Sequence, residues 1–147
     1  MKSLFNEADY SEIVTRLNSL NEDAAKKWGT MSVGQMAWHC QIPLKSGVDN
    51  KKHGKKGNFL IKLLFKKSMY SDKPWRKNLP TSPIAKAKAE KNFAEEKPKL
   101  LQLVHDFHAL KSRQQWEPHV VFGELTPEQW GKMQYKHLNH HLEQFGV

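Results

Sequence analysis

The stretch TPEQWGKMQYKHLNHHLEQFGV, residues 126–147, has the marks of one helix from start to stop. Thr126 is a capping residue, Pro127 has the φ suited to the first helical position, and Gln129 completes a capping box three residues after Thr126. Leu125 and Trp130 stand where a hydrophobic staple requires them, and Gly146 supplies the stop. Winding the stretch at about 100° per residue gathers Met133, His137, Trp130, His141, Phe145, Leu138 and Leu142 on the arc expected to be buried. Tyr135, Asn139, Lys132, Glu143 and Lys136 fall on the opposite arc, and His140 falls at the edge.

Two histidines in the middle of an apolar face need a reason to be there. At i and i+4 their Cβ atoms lie about 6 Å apart, close enough for both imidazoles to grip one metal ion. The competing reading is a pair of core histidines satisfied by hydrogen bonds. A third ligand elsewhere in the chain would favour the metal.

The chain has 147 residues, enough for one domain with a real core, and at 38% hydrophobic residues with five Trp and seven Phe it is globular in composition. No apolar run approaches the length of a membrane span, and MKSLFNEADY at the start has no signal-peptide core, so a soluble cytoplasmic protein is expected. Cys40 is the lone cysteine, which excludes an internal disulfide and fits a reducing compartment. The net charge of +9 belongs to one segment. Residues 45–77 hold eleven Lys/Arg against Asp49 and Asp72, while the rest of the chain balances at thirteen of each sign. Such a block can attract nucleic acid or an anionic surface, or it can be a solvated basic face.

Three further helices are expected. Asn6 to Leu20 places Tyr10, Ile13, Val14 and Leu17 at i, i+3, i+4, i+7. A second strong start lies at Ser32, with Gln35 completing a capping box and Met31 and Met36 as the staple. That helix carries Val33, Met36, Ala37, Cys40 and Leu44 on one arc with His39 on its margin, and Pro43 kinks or ends it within a turn. Cys40 reads as a small buried side chain, since no neighbouring base activates it. Lys86 to Leu110 is the third long helix, with Ala89, Phe93, Leu100, Leu101, Val104, Phe107 and Leu110 as its apolar positions; Pro98 interrupts the pattern, so the helix either starts properly near Glu95 to Pro98 or kinks there. His105 and His108 are assigned to its solvent side or rim. Between the second and third helices, KKHGKK is a basic connector, Asn58 to Tyr70 a short amphipathic helix, and Ser71 to Pro83 an irregular crossing connection. His119 is placed near the mouth of a site, with a loop-surface histidine as the alternative.

The segments S-V-G-Q-M-A-W-H at Ser32 to His39, F-G-x-L-T-P-E-Q-W at Phe122 to Trp130 and H-L-N-H-H-L-x-Q-F at His137 to Phe145 together resemble the DinB/YfiT-like metalloenzyme superfamily, in particular a small bacterial branch without assigned activity. The likeness covers essentially the whole chain. It implies an all-α, four-helix bundle with a long crossing connection and a short extra helix. It also implies that His39, His137 and His141 bind one divalent transition metal at one end; His140 does not match a ligand position. Zinc or nickel is the first expectation, with iron or manganese as alternatives. Characterised members include thiol-dependent S-transferases and an isomerase, so the resemblance implies a small-molecule substrate, such as a low-molecular-weight thiol, and a homodimer. The residues themselves keep a different class open, a non-enzymatic module using the basic 45–77 segment on nucleic acid or an anionic surface. Glu124 and Gln134 are candidates for groups near the site.

Overall fold

The computed structural model describes residues 1–52 and 66–147. Over these residues the fold is all helical: α1 Glu7–Ser19, α2 Val33–Asp49, α3 Phe93–Ala109 and α4 Pro127–Gln144, with 3-10 turns at Pro83–Ala85 and Leu110–Ser112. The start signals expected for α2 and α4 are present as complete capping boxes: Ser32 with Gln35, and Thr126 with Gln129. Gly146 takes φ +84°, and the N–H groups of Gly146 and Val147 return to the carbonyls of Glu143 and Leu142, closing α4 with a Schellman motif.

The helices share one core that includes Ile13 and Leu17 from α1, Met36 and Leu44 from α2, Val104 and Phe107 from α3, and Trp130, Leu138 and Leu142 from α4. α2 lies against α3 most extensively, and α1 and α2 both pack on α4. The α2–α3 approach is close because residue 34 is glycine. A Cβ there would sit 1.9 Å from the carbonyl oxygen of Lys91. No helix among the described residues is long and apolar enough to cross a membrane.

Several expectations change. Pro43 does not end α2, which continues to Asp49; the cost is the His39 carbonyl, which loses its i+4 amide donor. The third helix begins at Phe93 rather than Lys86, capped by the Asn92 side chain, and Pro98 lies inside it. Residues 85–91 run beside α2 instead, because the carbonyls of Ala85 and Ala89 accept hydrogen bonds from the His39 ring and from Gln35 Nε2. Ala89 is consequently exposed. Residues 58–65 of the helix expected over Asn58 to Tyr70, and residues 53–56 of the basic connector, lie outside the described residues; 66–69 are helical.

Tyr135 and Lys136, placed on the outer arc of α4 by helical projection, are buried. The N-terminal segment lies along the helix, with Leu4 N–H donating to the Gly131 carbonyl at 3.0 Å, and Tyr135 donates to Glu12 of α1. Residues 68–71 cover the Lys136 ammonium, whose hydrogen bonds go to the Ser68 and Ser71 carbonyls at 2.6 and 2.8 Å. Periodicity separates the faces of an isolated helix; here chain from far away in sequence covers the second face.

Candidate metal centre

His39 projects from the middle of α2, and His137 and His141 project from α4, one turn apart. The three imidazoles meet, with one nitrogen from each within 4.8 Å of the others. All three are buried, at 7%, 9% and 6% exposure. The ring centroids are 4.8 to 4.9 Å apart, with the His137 and His141 planes nearly perpendicular at 86°. This brings together the two histidines singled out on the last helix and the one on the margin of the second.

Two of the rings are oriented by hydrogen bonds on the side away from the cluster. His39 Nδ1 donates to the Ala85 carbonyl at 2.8 Å, and His141 Nδ1 donates to Gln144 Oε1 at 2.8 Å. A neutral imidazole carries one proton, so each ring turns its Nε2 lone pair inward. His39 Nε2 lies 2.9 Å from His137 Nε2, and His137 Nδ1 is buried with no partner among the described residues. In either tautomer His137 leaves one polar nitrogen unsatisfied. Metal–nitrogen bonds of about 2.0–2.1 Å put two ligand nitrogens roughly 3 Å apart, so the 2.9 Å spacing fits two donors to one cation. The donor set among the described residues, three imidazoles without a carboxylate or thiol, suits zinc, nickel, copper or iron.

The electrostatics hold the ligands ready. Burial pushes the pKa of all three histidines below the usual value, and repulsion from neighbouring imidazolium charge adds to this for His137 and for His141, which is lowered to about 3 in all. The rings are therefore neutral at pH 7, the form that binds metal. A pH prediction follows with a definite sign. Between pH 6.5 and 5 the unfolded chain takes up histidine protons that the folded cluster refuses, so metal-free protein loses stability as the pH falls, with His141 alone contributing about 2 kcal/mol. Urea midpoints at pH 7 and pH 5 measure it, and an equal or higher midpoint at pH 5 contradicts it. Carboxylates titrate mostly below this window.

Around the cluster stand aromatic rings that sequence reasoning did not assign to it. Trp75 packs on His137 at 5.8 Å and on His140 at 5.6 Å, Trp28 packs on His140 at 5.8 Å, and His140 meets His141 edge-on at 5.2 Å. His140 thus flanks the cluster without joining it. Lys77 lies over Trp28 and Lys136 over Trp75. Gln144 carried one readable signal, its i+3 spacing from His141; the Ala85 carbonyl and both tryptophans come from segments whose placement is not periodic.

The other candidates lie elsewhere. His119 is buried, but against Phe122 and Trp130, with its Nδ1 accepting from the N–H groups of Val121 and Phe122. His108 is also buried rather than on the rim, stacked on Tyr10 at 3.9 Å with Nδ1 donating to the Leu4 carbonyl, because the N-terminal segment covers that side of α3. His105 is exposed and meets the Tyr10 hydroxyl. Cys40 is fully buried, and burial raises its thiol pKa, so it is no nucleophile. Glu124 is exposed, whereas Gln134 is buried and donates to the Pro43 carbonyl at 3.0 Å.

Fold and site together define an all-helical protein with a buried three-histidine cluster able to hold a metal ion. Over residues 3–146 the chain matches the family described as "Protein of unknown function (DUF1569)", and it belongs to that family. No curated protein and no solved structure matches it.

Proposed function

We propose that this protein is a metal-dependent enzyme of the DinB-like, four-helix type. In this reading His39, His137 and His141 hold one divalent transition metal, zinc or nickel before iron or manganese, and the protein acts on a small molecule by transferring a low-molecular-weight thiol or by hydrolysis. The observation that carries it is the convergence of three neutral imidazoles with no fourth protein ligand in the group among the described residues. Structural zinc sites close with four protein ligands, whereas catalytic sites keep a position open. A divalent ion there would supply a Lewis acid that lowers the pKa of a water or thiol toward neutrality. The chain's own part is to fix the His39 and His141 rings through Ala85 and Gln144, and to limit water with Trp28, Trp75 and His140. The test is turnover of thiol-transfer and ester-hydrolysis substrates by protein loaded separately with zinc, nickel, iron(II) and manganese. Metal-dependent turnover lost in His39→Ala is expected; equal turnover in wild type and variant overturns the reading.

A second reading rests on the basic segment. Lys67, Lys73 and Arg76 are exposed and form no ion pair among the described residues. Contact with nucleic acid there predicts binding that weakens steeply with salt. Absent or salt-insensitive binding to single-stranded and duplex DNA and RNA removes it.

A further inference from the structure

Gln144 sits in the last turn of α4, 3% exposed, with both ends of its side-chain amide engaged. Nε2 donates to the Trp28 carbonyl at 2.9 Å, and Oε1 receives the His141 Nδ1 proton at 2.8 Å. The order of these bonds is dictated by chemistry. A backbone carbonyl can only accept, so the Trp28 carbonyl must face the NH2 end of the amide. The oxygen end then faces His141, and an oxygen that only accepts requires the imidazole proton on Nδ1. The His141 Nε2 lone pair is thereby left for the cluster.

The loop leaves the amide little freedom to turn over. Lys27 N–H donates to the Gln144 backbone carbonyl at 2.7 Å. Gly29, at φ +79°, approaches so closely that a Cβ would stand 2.4 Å from Gln144 Nε2. Three successive residues of this loop thus hold Gln144 from one side while His141 occupies the other.

From this geometry we infer that Gln144 is a positioning residue, which transmits the polarity of the Trp28 carbonyl to His141 and fixes that ring in its metal-binding tautomer. It touches neither metal nor substrate. The inference rests on the proposed metal site for its consequence, but the tautomer itself is observable without metal. The same contact ties the loop that carries Trp28, one of the aromatic rings beside the cluster, to the orientation of a ligand.

The experiment uses the full chain with Gln144→Ala and Gln144→Glu, read in two ways. Imidazole nitrogen shifts of metal-free protein report the His141 tautomer, and competitive titration with a chromophoric chelator reports zinc affinity. Wild type is expected to show a proton on Nδ1. Gln144→Ala is expected to show mixed tautomers and 10–100-fold weaker zinc binding, the range typical for loss of a partner behind a ligand. Gln144→Glu loses the hydrogen bond to the Trp28 carbonyl but still accepts from Nδ1, and is therefore expected to keep the tautomer, which a merely structural glutamine would not explain. An Nδ1-protonated His141 with unchanged zinc affinity in Gln144→Ala overturns the inference. Should Gln144→Ala not fold, mixed tautomers in folded Gln144→Glu overturn it. Absence of zinc binding by wild type would instead count against the metal reading, and the tautomer measurement would still decide this one.

Discussion

Replacing His137 or His141 by alanine is expected to strip the protein of metal while leaving the helical fold standing. A zinc site made by protein side chains contributes on the order of 10 kcal/mol at neutral pH. One of three ligands then carries roughly a third of that, and tenfold in affinity corresponds to about 1.4 kcal/mol. Affinity should therefore fall by two to three orders of magnitude in each variant. The fold should survive because the side chains lost are not the ones that fill the core; that task belongs to neighbours such as Trp130, Leu138 and Leu142. In His137→Ala the metal-free protein also sheds a buried nitrogen that has no partner among the described residues, which offsets part of the lost packing. Metal titration followed by a circular dichroism melt separates the two effects. Wild-type metal affinity in both variants contradicts the site.

Gly34→Ala should be among the most destabilising single-methyl changes in the protein, although alanine is the better helix former by about 1 kcal/mol. The new Cβ would lie 1.9 Å from the Lys91 oxygen and 2.8 Å from the Lys91 carbonyl carbon. Both are backbone atoms, so no side chain can swing aside, and the start of α2 must move off the segment leading into α3. Overpacking of this kind costs about 1–3 kcal/mol and occasionally more. With backbone atoms on the receiving side the cost falls at the upper end of that range, so a net loss of about 2 kcal/mol is expected after the propensity gain. Because Gln35 and His39, both on α2, bond to the carbonyls of Ala89 and Ala85, the same shift should loosen the seat of His39. Chemical denaturation measures the loss; a variant as stable as wild type would show that the approach relaxes freely.

The parts of this architecture readable from sequence are those fixed by neighbours along the chain. Capping boxes at Ser32 and Thr126, the Gly146 stop and the i, i+4 pair His137 and His141 are local relations, and each appears as expected. From the residues alone His39 is a histidine on a helix margin, and only the family resemblance sets it with His137 and His141; its meeting with His137 depends on how α2 crosses α4. What local reasoning missed are contacts made by irregular chain. The Ala85 carbonyl, the Trp28 loop and Trp75 reach the site from segments with no period to read. Projection sees one helix at a time and so sets Tyr135 and Lys136 on the outer arc and His108 on the solvent side or rim, whereas residues 1–6 and 68–71 cover what an isolated helix would expose. The start of the third helix moved for a similar reason. Asn92 provides a cap, and the carbonyls upstream are occupied by α2 instead of continuing a helix.

The most direct test of the metal centre is elemental analysis of protein purified without a histidine tag and without added metal, alongside His39→Ala. Near one equivalent of a transition metal in the wild type, lost in the variant, is the result expected from the three converging imidazoles. Wild-type protein that carries no metal, and takes up neither zinc nor nickel on titration at pH 7, would contradict it.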